Sequence, residues 1–290
     1  AMRALAEFAL RSKGHSFFVA LALSFTPFLF WLGVAVAAVV VLRRGLNAGA
    51  YAVAGVIIPA GMMWQWGDPT SLFQVIVALA AAITLRATVS LPSALVALTV
   101  MSAVSLFGLQ YLAADKLQQM IHMNQEMLDR LQSAQVVPAM EAQEAQQWLA
   151  SFTLGAAVVG LSWMSLFSLL MARGWQAQLF NPGGFQQEFH SLRIPKSLLP
   201  ILGGLAALLL LSTNAPAVLV LALAGMPLML AALGLIHCIV KRKQMNSGWL
   251  IALYGFAVIT LGGPLVVPLI ALGVLDSLLD MRRRIQPSAQ

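Results

Sequence analysis

The sequence predicts an all-α fold, a polytopic membrane helical bundle, and three observations lead to that class. Hydrophobic residues make up 60% of the chain and charged residues only 9%, whereas a typical soluble domain carries about 25% charged residues. The apolar residues form about eight to ten runs, some of them short or broken hairpins, and ~20 such residues cross a bilayer as a helix. Lysines and arginines stand at the ends of these runs, where they orient spans and meet anionic headgroups.

The same composition limits the possible functions. The net charge of +7 does not indicate nucleic-acid binding, because the positive residues are distributed over the ends of apolar segments. Cys238 is the only cysteine and lies inside an apolar run, which excludes a disulfide framework and a cysteine-based metal site. We therefore expect residues 1–290 to form a single transmembrane domain in contact with the lipid bilayer.

The first segments are predicted to be a short helix and an apolar hairpin. Residues 2–12 alternate apolar and charged side chains at helical spacing, which is typical of a helix lying on the inner leaflet. Residues 15–42 are apolar but are interrupted near Pro27, so that either one tilted span or two short segments would fit. Arg43 and Arg44 should share the side of the basic residues that precede the run, and only a hairpin places them there.

Three further apolar runs follow, separated by a tryptophan-rich turn and by Arg86. They are residues 48–66, 71–85 and 90–113. The two tryptophans at the end of the first run, with the Gly-Asp-Pro sequence after them, are typical of an interfacial belt and a turn. We therefore expect these runs to lead outward, inward and outward again.

Residues 114–149 are the one long polar excursion. Apolar residues recur every three or four positions in its first half, which predicts an amphipathic helix. Val136-Val137-Pro138 breaks this helix, and from Ala139 the chain resumes helical spacing and continues into the next apolar run. We expect a periplasmic helical hairpin, an insertion whose methionines pack on lipid or on a partner helix rather than capture a metal.

Five more apolar runs complete the chain. They are residues 150–172, 197–212, 216–240, 248–261 and 264–279. Between the first two lies a polar loop, residues 173–196, whose Asn-Pro-Gly-Gly sequence can hardly continue a helix. This layout leaves only Lys116 and Arg130 of the 17 lysines and arginines on the outer side. It predicts a multi-pass protein of the bacterial inner (cytoplasmic) membrane with the loop and both termini in the cytoplasm.

No catalytic motif is present. The chain lacks a His-Glu-x-x-His sequence, a Gly-rich phosphate loop and a Gly-x-Ser-x-Gly elbow, so we expect neither an enzyme nor a cofactor. The four histidines fall in four segments, which argues against a metal site. Asp276 and Asp280 lie one turn apart just before Arg282, and the simplest interpretation is an ion-paired helix end. A lipid-modifying enzyme would need one of the aspartates to face a cavity open to the inner leaflet.

Three predicted outer turns supply a candidate ligand site at the outer rim. Its residues are Trp64, Trp66, Asp68, Gln110, Tyr111 and Asn214. Aromatic faces with a few hydrogen-bonding groups usually line small-molecule pockets, but tryptophan and tyrosine are also enriched at membrane interfaces without any ligand. The sequence leaves both interpretations open.

The polar loop carries a resemblance to a known family. Its sequence Asn181-Pro182-Gly183-Gly184-Phe185, followed by Glu188-Phe189-His190-x-Leu192-Arg193-Ile194-Pro195, resembles the loop of the YybS-like family of uncharacterised bacterial inner-membrane proteins. That family is similar in layout to the S components of energy-coupling-factor transporters, which bind a solute near the outer face and dock onto a membrane partner. This chain differs from S components in having more than their usual apolar segments and in its outer hairpin.

The resemblance implies a transport-related role. We expect an S-component-like subunit that binds a small solute or a lipid-like ligand and docks to a partner protein through its cytoplasmic loop. The residues expected to contact the partner are Trp175, Asn181, Pro182, Gly183, Gly184, Phe185, Glu188, Phe189, Arg193 and Pro195. A loop with these aromatic anchors would suit a docking surface, and it could equally fold back on its own bundle. The alternative function is a non-enzymatic scaffold that holds partner proteins through residues 114–149 and 173–196.

Overall fold

The chain folds into a bundle of α-helices. The structure is a computed structural model, and it describes residues 2–134, 142–213, 215–260 and 262–284. These ranges contain no β-strand. Four of the helices within them are long and apolar enough to cross a membrane, and the number rises to six if each of two bent helix pairs counts as one span. The prediction of an all-α, polytopic membrane bundle is confirmed.

The first three helices form a hairpin with a short helix at its base. α1 (Met2–Ala9) is followed by α2 (Lys13–Ser24), which begins after Ser12, whose hydroxyl accepts a backbone hydrogen bond as an N-cap. A turn through Pro27 leads to α3 (Phe30–Arg44). α2 and α3 pack against each other. The hairpin is therefore confirmed, and the alternative of a single tilted span is not.

α4 (Leu46–Gln65), α5 (Thr70–Thr88) and α6 (Leu91–Leu112) are three of the four long apolar helices. Asp68 lies in the turn between the first two, and its carboxylate accepts a hydrogen bond of 2.9 Å from the backbone N–H of Thr70. It thereby satisfies one of the unpaired N–H groups at the start of α5.

α7 (Ala114–Ser133) is a polar helix that we call the polar arm. α8 (Ala142–Phe180) is the fourth long helix. α8 contains 39 residues and is therefore about 58 Å long, almost twice the ~30 Å hydrocarbon core. Its first turns pair with α7, where the Asn124 amide donates a hydrogen bond of 3.0 Å to the Thr153 hydroxyl. The helix runs into the apolar segment as predicted, whereas the predicted break at residues 136–138 lies outside the described residues.

α3 is the centre of the first half of the bundle. Helices α2, α4, α5 and α8 all pack against it, and residues 32–42 are all buried. Helices approach one another closely here. A Cβ atom on Gly55 of α4 would lie 2.6 Å from the carbonyl oxygen of Phe17 in α2, so that only glycine fits at this crossing.

The predicted polar loop, residues 173–196, begins later than expected. α8 continues to Phe180, because Trp175 is buried in the core and holds the polar end of the helix against the bundle. The turn comes at the Asn-Pro-Gly sequence, where Gly183 has a φ of 84°, a left-handed conformation that glycine adopts without steric cost. α9 (Gly184–Ser191) follows directly.

The next helices are short and bent. α10 (Leu199–Ser212) turns by 68° from α9. α11 (Ala217–Ala224) and α12 (Met226–Arg242) meet at 63°, so the predicted apolar run of residues 216–240 is divided into two helices by a bend. Pro227 explains the break, because proline in the first turn of α12 has no N–H with which to continue the helix from α11.

α13 (Gly248–Ile259), α14 (Val266–Leu279) and α15 (Met281–Arg284) complete the described chain. α13 and α14 correspond to the predicted terminal hairpin, and each is shorter than a full span. A turn with Gly262 at a φ of 73° joins them. α14 packs closely against α12, whereas α13 has no buried residue.

Basic residues gather at one end of the bundle. The guanidinium of Arg43 lies over the Phe180 ring, 4.2 Å from its centroid, and Arg86 donates a hydrogen bond of 2.7 Å to the carbonyl of Leu42. Segments that the sequence assigns to one side of the membrane therefore contact one another. We call this end of the bundle, which carries the C-termini of α3, α5, α8 and α12, the basic end.

Candidate functional site

The second half of the bundle encloses a cavity of about 820 Å³, which we call the apolar cavity. Helices α8, α9, α11, α12, α13 and α14 line it. Its aromatic residues are Trp163 and Phe167 from α8, Phe185 and Phe189 from α9, and Tyr254 from α13. Ligand pockets typically measure about 300–1,000 Å³ and are mostly apolar. The cavity therefore has the size and lining of a site for a molecule with hydrocarbon chains.

Two features keep this space open. α12 and α14 approach so closely that a Cβ atom on Gly273 would lie 2.3 Å from the carbonyl oxygen of Leu228, which fixes their spacing on one side of the cavity. α13 covers another side without filling it, because none of its residues is buried. The Tyr254 hydroxyl and His237 Nε2 share a hydrogen bond of 2.8 Å that joins α13 to α12. α13 is thus a thin wall between the cavity and the outer surface.

A second cavity, about 690 Å³, lies at the basic end, and we call it the basic cavity. It is lined by Gln187, His190, Ser191, Arg193, Cys238, Lys241, Arg242, Gln244, Asp280 and Arg282. Four cationic side chains therefore surround one carboxylate, that of Asp280, which forms an ion pair of 3.0 Å with Arg193. The positive charge of the cavity is in excess.

Arg282 joins three helices at the wall of the basic cavity. Its Nε donates a hydrogen bond of 2.9 Å to the Asp276 carboxylate of α14. Its terminal nitrogens donate to the carbonyls of His190, Leu192 and Ala231, which belong to α9, the residue after it and α12. Both charged groups are buried, and a buried charge without its partner costs about 3–5 kcal/mol. The contact holds these helices in fixed positions.

The prediction of an ion-paired end to the last apolar helix is confirmed. Asp276 pairs with Arg282, and Asp280 pairs with Arg193 and Arg283. Asp276 is fully buried and lines neither cavity, so it does not meet the condition set for a lipid-modifying enzyme. Asp280 lines the basic cavity and therefore meets the condition by position, but its carboxylate is paired with Arg193 and Arg283.

The two cavities approach each other at adjacent residues of α9, a short helix outside the four long spans. Phe189 lines the apolar cavity and His190 lines the basic cavity. The ring of His237 lies 5.5 Å from that of Phe189 and 6.3 Å from that of His190.

Burial, reinforced by the charges of Lys241, His237 and Arg282, lowers the pKa of His190, so the imidazole is mainly neutral at pH 7.

Three predicted partner-contact residues are turned toward their own bundle. Trp175 is buried in the core, and Phe185 and Phe189 line the apolar cavity. α9 packs against α12, which brings both phenylalanines inward. The aromatic anchors expected on a docking surface therefore belong to the interior.

The other predicted contact residues lie nearer the surface. Asn181, Pro182, Gly183 and Pro195 are exposed, and Gly184, Glu188 and Arg193 are half-buried. Glu188 forms an ion pair of 2.8 Å with Arg173 of α8, so its charge is satisfied within the chain. The exposed tip of the loop is the part that remains accessible to a partner.

The predicted outer-rim residues do not line either of the two large cavities. Trp66, Gln110 and Tyr111 are exposed, Trp64 and Asp68 are half-buried, and Asn214 lies outside the described residues. The exposed fractions of Trp66 and Tyr111, 73% and 72%, are typical of aromatic side chains at a membrane interface. The carboxylate of Asp68 accepts the hydrogen bond from Thr70 at the start of α5 that is already described.

The sequence did not predict that the residues of the basic cavity lie together. Lys241 was interpreted only as a charge that orients a span, and Arg282 only as part of an ion-paired helix end, although each belongs to a basic cluster that ends an apolar run on the side of Arg193. That shared side is the signal that could have predicted their proximity. Among the described residues, no group of three or more His, Cys, Asp or Glu side chains is placed to hold a metal ion. Comparisons of the chain with protein-family models, with curated proteins and with solved structures give no match.

Proposed function

We propose that this chain is an integral membrane protein that binds a lipid-like ligand in the apolar cavity and does not catalyse a reaction. One observation carries the proposal. An apolar space of about 820 Å³ persists in a bundle of apolar helices, where side chains normally fill the interior to the density of an organic crystal. Because its wall is the thin, unburied helix α13, a molecule already dissolved in the bilayer can reach it from the side.

The lining favours a lipid-like ligand over a small polar solute. Its walls are aliphatic and aromatic, and the one tyrosine hydroxyl among them is already bonded to His237. A polar solute would exchange hydrogen bonds with water for a lining whose other polar side-chain group is the indole N–H of Trp163, at about 1–3 kcal/mol for each unsatisfied group. Hydrocarbon chains do not carry that cost.

The proposal includes an orientation and a cellular location. We place the basic end and both termini on the cytoplasmic side of a bacterial inner membrane, because loops rich in lysine and arginine stay on that side. The likeness to the YybS-like family and to S components remains a prediction from the loop sequence. A transport role would require a partner, and the exposed Asn-Pro-Gly tip of the loop is the surface that we assign to its docking.

Filling the apolar cavity tests the proposal. Ala222 of α11 and Ala257 of α13 both line it, and replacing both with tryptophan would place two indole rings inside. The matched control carries tryptophan at Ala50 and Ala252, which are exposed on α4 and α13. After detergent extraction, native mass spectrometry should show lipid-sized adducts on the wild type and the control, and their loss from the cavity-filled variant.

Unchanged adducts on the cavity-filled variant would contradict the proposal. The thermal unfolding midpoint of each variant, measured in the same detergent, verifies that the comparison is made between folded proteins. Extraction of the bound molecules and their analysis by chromatography would then show whether they carry hydrocarbon chains.

A non-enzymatic scaffold is the second candidate function, and the polar arm favours it. Met123 and Met127 of α7 are 67% and 62% exposed, although methionine is a side chain that readily packs on a partner. Photo-crosslinking from position 123 in cells tests this candidate. One reproducible protein adduct, together with the absence of bound lipid in the mass spectrum, would favour the scaffold over the lipid-binding function.

A further inference from the structure

The basic cavity contains a cation that no described carboxylate neutralises. Arg193 is paired with Asp280, and Arg282 is paired with Asp276. Lys241 lines the same cavity, and no carboxylate among the described residues lies within ion-pair distance of its ammonium group. A lysine ammonium is a compact point charge that binds phosphate oxygens well. An anion that enters the cavity is therefore attracted by the positive charge of Lys241, which no carboxylate among the described residues neutralises.

The walls of this cavity are fixed before any ligand binds. The guanidinium of Arg282 is held by the Asp276 carboxylate and by three backbone carbonyls. Arg242 in turn donates a hydrogen bond of 2.8 Å to the backbone carbonyl of Arg282. Polar groups that are already ordered lose little freedom when a ligand arrives, which favours binding. The cavity is thus a built site rather than a cluster of mobile surface charges.

The position of the basic cavity relates it to the apolar one. Phe189 and His190 are consecutive in α9, and they line the apolar and the basic cavity respectively. A molecule with hydrocarbon chains in the first cavity can therefore place a polar head in the second. When the apolar helices occupy the hydrocarbon core, the basic end lies at the level of the lipid headgroups of one leaflet.

We propose that the basic cavity binds the phosphate head of an amphiphile whose hydrocarbon chains occupy the apolar cavity. This inference rests on the proposed lipid-binding function and adds the chemical class of the head, a phosphate monoester. Lys241 supplies the main electrostatic attraction. Ser191 and His190 add hydrogen-bonding groups within the same lining.

Lipids with identical chains and different heads test the inference on the full-length protein in detergent. The probes are dioleoyl phosphatidic acid, which has a phosphate monoester, dioleoyl phosphatidylcholine, whose head is zwitterionic, and dioleoylglycerol, which has no phosphate. Titrations followed by native mass spectrometry give the affinities. We expect phosphatidic acid to bind about tenfold or more tightly than dioleoylglycerol, with phosphatidylcholine between them.

A pair of lysine variants locates the attraction. Lys241→Gln should weaken phosphatidic acid binding about fivefold and leave dioleoylglycerol binding unchanged, since one basic residue near the surface contributes on the order of that factor. Lys243→Gln is the matched control, because Lys243 is exposed at the same helix end but does not line the cavity. It should leave both affinities unchanged. Both lysines are exposed, so neither change should impair folding.

The outcomes that contradict the inference can be told apart. Equal affinities for phosphatidic acid and dioleoylglycerol would overturn the phosphate head while leaving the lipid-binding function intact. Failure of all three lipids to bind, with adducts unaffected by the cavity-filling substitutions, would overturn both. Equal losses in Lys241→Gln and Lys243→Gln would mean diffuse surface attraction instead of a cavity site. Displacement of phosphatidic acid by an equal concentration of inorganic phosphate would identify free phosphate as the ligand and overturn the amphiphile, whereas no displacement supports it.

Discussion

The two halves of the bundle pack their apolar helices in opposite ways. In the first half, α3 is enclosed on all sides and residues 32–42 are buried. In the second half, α10 to α14 are short or bent. Cavities of about 820 and 690 Å³ lie among α11 to α15, with α9 lining both and the middle of α8 lining the larger one. Close packing in the first half therefore provides a rigid scaffold, while the interrupted helices of the second half leave the space in which a ligand can bind.

α8 belongs to both halves and connects the closely packed first half to the apolar cavity of the second. On one face, the hydroxyls of Ser165 and Ser168 donate hydrogen bonds to the carbonyls of Gln74 and Trp31 in α5 and α3. Another part of its surface, which includes Trp163, lines the apolar cavity. One wall of the cavity is therefore attached to the most closely packed part of the molecule.

The largest effect is expected at the buried ion pair between Arg282 and Asp276 in the second half. Arg282→Gln would leave the Asp276 carboxylate buried without its cation and should lower the free energy of unfolding by about 3–5 kcal/mol. The thermal unfolding midpoint in detergent measures the change. The double variant Arg282→Met with Asp276→Leu should recover much of the loss, because it removes both charges at once.

Arg283→Gln is the control for this prediction. The Arg283 side chain is 86% exposed and pairs with Asp280 at the surface, so its removal should change the midpoint little. If Arg282→Gln and Arg283→Gln gave the same midpoint, the second half would not be held together by the buried ion pair.

A smaller effect is expected from added bulk in the first half. Gly55→Ala would place a methyl group 2.6 Å from the backbone carbonyl oxygen of Phe17, and backbone atoms cannot move aside as a flexible side chain can. We expect a loss of about 1–3 kcal/mol in the free energy of unfolding, as for other overpacked sites. Thermal unfolding in detergent again provides the measurement.

Gly61→Ala on the same helix gives a matched comparison. No heavy atom lies within 4 Å of the position that its Cβ would take, and alanine is the better helix former by about 1 kcal/mol. The Gly61 variant should be as stable as the wild type or slightly more so. If both variants had the same unfolding midpoint, the helix crossing at Gly55 would be packed no more closely than the open surface at Gly61.

The smallest effect is expected at the thin wall of the apolar cavity. Tyr254→Phe removes the hydrogen bond to His237, whose net contribution is about 1 kcal/mol. α13 should then separate from α12 more often, and its backbone amides should exchange hydrogen for deuterium faster, with little change in the unfolding midpoint. Tyr51→Phe, at an exposed position of α4, serves as the control. Unchanged exchange in α13 would show that this contact does not hold the wall in place.

The fold class and the long helices could be predicted because they depend on local properties of the chain. Hydropathy alone places the helices of the first half, and the turns at Pro27 and Gly183 follow from residues that disfavour a continuing helix. The break before Met226 was not predicted, although Pro227 is the residue that causes it. Pro227 lies in the middle of the apolar run of residues 216–240, and its place in the first turn of a separate helix emerged only from the structure.

The candidate site could be predicted only in part, because it depends on how the helices are rotated about their axes. Apolar residues surround most of the helices in the second half, so periodicity does not reveal which side of α9 or α12 faces inward. The sequence therefore left open whether Phe185 and Phe189 form a docking surface or fold back on their own bundle, and in the structure they line a cavity. Arg282 reaches carbonyls about 90 positions away in the chain, and no local pattern indicates that contact.

An electron cryomicroscopy map of the protein in lipid nanodiscs, with an antibody fragment for alignment, would show whether a lipid occupies the two cavities. We expect elongated density in the apolar cavity, beneath α13, that ends beside Lys241 in the basic cavity. A map in which α13 packs against α8 and closes an empty space would contradict it.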